Sequence, residues 1–143
     1  MATDTRNRME KAEARVALLS YVALVVLGLL FVLGIYTNLY VEFSEGTSGW
    51  KVIGASVIAT LHMSLGSVFA VAAIGLIVVA VSTHRAVWIS LTVVGLVASI
   101  AAVYGGVNFA ENQSNGNSLL MALGFVAAFL AYSAAIFLGQ RRE

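Results

Sequence analysis

One imidazole is set into an otherwise apolar stretch. His62 lies within residues 52–81, which carry no formal charge and no proline, with Met63 beside it and Gly66 one helical turn on. The other side chains able to donate, accept or ligate near its level are Tyr36, Tyr104, Asn108, Glu111 and Met121. A histidine followed by glycine at this spacing suits a flat ring system, because a larger residue at 66 would collide with the ring. Haem iron takes His with Met, or with a second His, as its axial pair. The cofactor-binding candidates are therefore His62, Met121 and Gly66, with Tyr36 and Tyr104 as hydrogen-bonding neighbours. Met63 points about 100° away from His62 on the same helix and cannot complete that pair. The sixth ligand would be Met121, or His62 of a second copy.

Enzyme chemistry has little to draw on. There is no phosphate-binding glycine loop, no HExxH, no paired intramembrane carboxylates and no Ser/His/Asp set. The chain has no cysteine, which removes thiolate ligands, disulfides and nucleophilic thiols. No catalytic residue and no metal site is assigned, and the expectation is a protein that is not an enzyme.

The run Leu61-His62-Met63-Ser64-Leu65-Gly66, leading to Thr83-His84-Arg85, locally resembles a helix of bacterial four-helix cytochromes b. The resemblance covers residues 61–85 and rests on the His-x-x-x-Gly pattern. It implies haem b and electron transfer at His62, with haem ligands on more than one helix. The other apolar stretches hold no histidine. A plainer role for His62 is a hydrogen bond to Tyr104, Tyr36 or a loop carbonyl, worth about 0.6 kcal/mol on average between membrane helices and up to about 1.7. A third is a contact to a small ligand, a quinone or a soft metal ion.

These residues are positioned by four apolar stretches, 16–38, 52–81, 86–106 and 118–139. The 143 residues are 60% hydrophobic and 10% charged, with a mean hydropathy of +0.93, whereas soluble domains carry roughly 25% charged residues. A bilayer crossing takes about 20 apolar residues in a helix. The backbone must satisfy itself in lipid, and no period-2 alternation argues for barrel strands. The fold class is all-α: a single domain, residues 1–143, forming a four-transmembrane-helix bundle.

The first stretch exceeds the 7 to 15 residues of a signal-peptide core, so it is expected to remain as the first span. Apart from Lys51, every basic residue falls in the tails 1–15 and 140–143 or in the short link at Arg85. The positive-inside rule then places both ends of the chain in the cytoplasm, N-in/C-in, with loops 39–51 and 107–117 outside. The segment 3–15, with Arg6 and Glu10 at helical spacing, extends the first helix as a solvated end. Tyr36, Tyr40, Trp50 and Trp88 read as interfacial anchors, and residues 44–49 as a turn. At 30 residues the second stretch is about 45 Å long as a helix, against a hydrocarbon core of about 30 Å. It is expected to project beyond the outer membrane surface, leaving His62 at the outer rim.

Small residues recur along three helix faces. Thr92, Gly95, Ser99, Ala102 and Gly106 form one line; Gly124, Ala128, Ala131 and Ala135, headed by Met121, form another. Ala55, Ala59, His62, Gly66, Ala70 and Ala73 form the third. Such seams let backbones approach closely. The function expected first is a small non-enzymatic integral membrane protein, an accessory subunit of a larger complex or a homo-oligomer packed through these seams. A haem b electron-transfer protein comes second, and small-ligand or quinone binding, or transport, third. The inner halves of the spans hold little beyond Ser20, Tyr21, Ser90, Thr92 and Ser133 to line a path. Expected partners are the lipid bilayer and other membrane subunits or further copies, and no nucleic acid.

Overall fold

The computed structural model describes residues 2–43, 49–54 and 56–140. Most of the turn expected at 44–49, the seam residue Ala55, the tail residues Arg141 and Arg142, and the side chain of Trp50 lie outside the described residues. Four helices account for nearly everything else: α1 (Ala2–Tyr40), α2 (Val57–Val81), α3 (Ala86–Asn112) and α4 (Asn115–Gln140). All four are long and apolar enough to cross a membrane. The chain therefore has the make-up of a multi-pass integral membrane protein. Each helix packs on its chain neighbours, and α1 closes the ring on α4.

Two boundaries differ from the sequence expectation. The second apolar stretch, 52–81, does not form one continuous helix. It begins as a short 3-10 turn, Gly49–Val52, and α2 starts only at Val57. Gly54 sits at φ +100, a conformation that side chains rarely adopt. Ser56 then caps α2 by accepting from the Ala59 N–H at 3.0 Å. Apolar composition thus extends past the point where backbone geometry stops the helix. The longest helix is α1 instead, with 39 residues, or about 58 Å. Its first turns carry the exposed Arg6–Glu10 pair, 3.0 Å apart.

The polar segment 107–117 is mostly helix rather than loop. α3 runs on to Asn112 and α4 begins at Asn115. Gln113 makes the turn in the left-handed region, at φ 48, and its N–H bonds to the Phe109 carbonyl. The Asn112 carboxamide oxygen accepts from Ser114 N–H at 3.1 Å and from the Asn117 side chain at 2.9 Å. Side chains chosen for a turn here stabilise two helix ends instead.

Two of the three small-residue seams, those of α3 and α4, are used inside the chain. A methyl group on Gly124 would stand 2.6 Å from the Ala98 carbonyl oxygen and 2.7 Å from the Ala102 nitrogen. One on Gly105 would stand 2.8 Å from both the Asn117 oxygen and the Met121 nitrogen. Backbone meets backbone along α3 and α4. Thr92, Gly95, Ser99, Ala128, Ala131 and Ala135 are all buried along the same contact.

At the end of the bundle opposite His62, large groups fill the interior. Trp88 is fully buried and lies close to Gly139, so it is a core residue and not an interfacial anchor. Glu13, expected to be solvated, is buried and pairs with Arg85 at 3.3 Å. That pair ties α1 to the α2–α3 link.

Adding a methyl group at Gly124 forces the α3–α4 backbones apart, so Gly124→Ala is expected to lose about 1–3 kcal/mol, the range for overpacking. Gly28 has nothing within 4 Å of the same added atom, and Gly28→Ala gains helix propensity, up to about 1 kcal/mol. Equilibrium unfolding of both variants in mixed micelles checks the contrast.

Candidate functional site

A cavity of about 260 Å³ lies between the four helices in the half of the bundle that holds His62. Its lining runs from Leu27 to Asn38 on α1, Ala59 to Phe69 on α2, Ser99 to Ala110 on α3 and Ser118 to Ala128 on α4. Ten or eleven helical steps correspond to about 15 Å of depth. The space exists because residues at facing positions are small: Gly34, Ala59, Gly66, Ala102, Gly106 and Ala122 all border it.

Its floor is made by aromatic packing. Tyr132 is fully buried and fits under Gly95, where an added methyl would stand 2.5 Å from the ring. Phe69 meets Tyr132 edge to face, with centroids 6.1 Å apart. The roof is a separate small core of Phe43, Val52, Ala59 and Ala110. The Gln113 side chain donates to the Phe43 carbonyl at 3.3 Å, fastening the segment after α1 to the α3–α4 turn.

His62 sits just below that roof. Its imidazole packs on Gly34, whose added methyl would stand 3.0 Å from Cε1. The absent side chain lets the ring approach the α1 backbone, within reach of the Leu30 carbonyl. Nδ1 is nevertheless buried with no hydrogen-bond partner. A buried unpaired nitrogen is uncommon and costs about 1–3 kcal/mol.

Of the residues singled out in the sequence, the structure brings His62, Gly66 and Met121 together on one cavity, and Met63 lines it too. Met121 also heads the α3–α4 contact, its sulfur 3.4 Å from an added Gly106 methyl. Tyr36 and Tyr104 do not line the cavity; they are 45% and 62% exposed on the outside of the bundle. The Tyr36 ring packs beside Tyr40 instead. Glu111 is exposed, and the Asn108 amide donates to the Tyr104 carbonyl at 2.8 Å. Among the described residues, no group of three or more His, Cys, Asp or Glu side chains could hold a metal ion.

Sequence reasoning missed Gly34, Thr37, Asn38, Ser67 and Ser118 as lining residues. Gly34 was visible as a notch in an apolar helix. What the sequence does not show is that α1 presents that notch to His62.

No protein-family model, curated protein or solved structure matches the chain. The site must be read from its own geometry.

If His62 served only to hold helices together, replacing it would lose up to about 1.7 kcal/mol. With Nδ1 unpartnered, His62→Leu in ligand-free detergent is expected to leave unfolding stability unchanged or raise it by about 1 kcal/mol. Chemical unfolding of the delipidated protein measures this directly.

Proposed function

We propose that this chain is a non-enzymatic, multi-pass membrane protein that holds a small lipophilic ligand in the cavity beneath His62. The observation that carries the reading is the buried, unpartnered His62 Nδ1 at the edge of an apolar cavity. Space left between the helices forgoes the dispersion contacts that close packing would give. An occupant recovers that packing and lies beside the His62 imidazole. A ligand-holding subunit is also compatible with an accessory role in a larger membrane complex. Self-association through the α3 and α4 seams has less support, because those two seams pack against each other within one chain.

Haem b keeps one supporting observation: His62 and Met121 border the same cavity. Against it, the volume falls below the roughly 300–1,000 Å³ of ordinary small-molecule pockets, and a macrocycle lying across the axis needs more width than this slot offers. Transport has less support, because Phe69 and Tyr132 close the lower end.

Both ends of the chain, in this reading, face the cytoplasm, with the His62 end outside. The support is the charge pattern: Arg6, Arg8, Lys11, Arg15 and Arg85 gather at one end of the bundle.

Native mass spectrometry of protein released gently from membranes is expected to show a noncovalent lipophilic adduct, and its absorption spectrum no Soret band. A Soret band abolished by His62→Ala would replace this reading with the haem one. Protein that carries no adduct and is not stabilised by total lipid extract would contradict ligand holding altogether. Because the chain has no cysteine, single cysteines report orientation. Glu111→Cys should react with an impermeant maleimide in intact cells, and His84→Cys only after permeabilisation; the reverse pattern would invert the topology.

A further inference from the structure

The lining and the openings of the cavity narrow the ligand class, on the ligand-holding reading above. No Asp, Glu, Lys or Arg borders the cavity. Three of its hydroxyls are spent on their own helices: Thr37 donates to the Leu33 carbonyl, Ser67 to Met63 and Ser99 to Gly95, each at 2.7–2.8 Å. A carboxylate, phosphate or ammonium group would be desolvated there with no counter-charge, a heavy penalty. The polar side chains that remain on the lining are His62, Asn38 and Ser118, all uncharged or weakly basic, and a hydroxyl or carbonyl group suits them. A volume of 260 Å³ spread over about 15 Å of depth makes the cavity elongated along the bundle axis, the shape of an extended chain rather than of a broad ring system.

The openings point to the lipid. Phe43 and Val52 cover the end of the cavity nearest water. Phe31, Ile35, Val103 and Ala122 line the cavity yet are also exposed on the outside of the bundle. Phe31 and Phe125 stack across the α1–α4 side with centroids 4.7 Å apart, so two ring side chains and no backbone stand at that opening.

We propose that the cavity takes an uncharged single-chain lipid, with a hydroxyl or carbonyl head, directly from the bilayer between α1 and α4. The head meets His62, and the chain runs down the bundle axis to Phe69 and Ala128. Phe31 and Phe125 form the side gate.

The test uses the protein in nanodiscs with hexadecanol carrying a photoreactive diazirine at the chain end. Expected labelling is saturable, maps near Phe69 and Ala128, and is competed by dodecanol. Gly66→Phe and Ala122→Phe, which obstruct the cavity from two different helices, should each abolish it while far-ultraviolet dichroism stays unchanged. His62→Phe should weaken dodecanol competition about tenfold, the equivalent of one hydrogen bond. Phe31→Ala should speed exchange of the bound alcohol several-fold without changing its affinity; unchanged exchange would overturn the side route. Equal labelling by carboxylate- or trimethylammonium-headed chains would overturn the uncharged class while leaving an occupied cavity. Competition by a short-tailed benzoquinone but not by dodecanol would overturn the single chain in favour of a ring. No saturable labelling in the cavity by any of these probes would overturn the proposal and the ligand-holding reading together.

Discussion

The backbone contact between α3 and α4 sets the geometry of the whole bundle. At Gly105 and Gly124 the two helices approach until no side chain fits between them. Such proximity in a membrane is gained from van der Waals contact and weak polar interactions rather than from excluding water. With one pair of helices held this close, α1 and α2 must close the ring over what remains. How the remaining space is filled depends on side-chain volume along the axis. Trp88, Tyr132, Val16 and Leu76 fill the Arg85 end; glycines and alanines at the other end do not.

The cavity is therefore a consequence of where small residues fall. Gly34, Gly66 and Gly106 border it from three different helices, and at Gly66 an added methyl would meet only the Leu30 side chain, at 3.8 Å. Gly34 does a second thing: it admits the His62 ring to the α1 backbone. A histidine in that position is well packed on one edge and unsatisfied at Nδ1. Packing and polarity disagree here, as they do at Ser20 Oγ, Trp88 Nε1 and the Tyr132 hydroxyl, which are also buried without a hydrogen-bond partner; of the four, His62 is the one whose residue borders the cavity. Such disagreement is characteristic of sites kept for something other than stability.

Much of the architecture was legible in the sequence, because lipid leaves the backbone few choices. Four long uncharged stretches become four helices, and the lines through Gly95 and Gly124 mark the faces that pack. The position of His62 beside Gly66 was also readable. What was not readable depended on local backbone geometry or on contacts between distant segments. Residues 52–56 are as apolar as the helix that follows, yet the positive φ of Gly54 and the Ser56 cap keep them out of it. The polar run 107–117 looked like a loop, but Asn112 and Asn117 secure helix ends. Trp88 and Glu13 read as surface groups because each stands near a charged segment, and only the closed ring of helices buries them. Tyr36 and Tyr104 share the level of His62 but not its face, a distinction that length counting cannot make.

The central claim is that the space beside Gly66 is unfilled by protein. Equilibrium unfolding of Gly66→Leu in lipid-free micelles tests it most directly. An added methyl there meets only the Leu30 side chain at 3.8 Å, so the account predicts a gain of about 0.5–2 kcal/mol from cavity filling. A loss of about 1–3 kcal/mol, the signature of overpacking, would show that the helices close on themselves and that no cavity is held open.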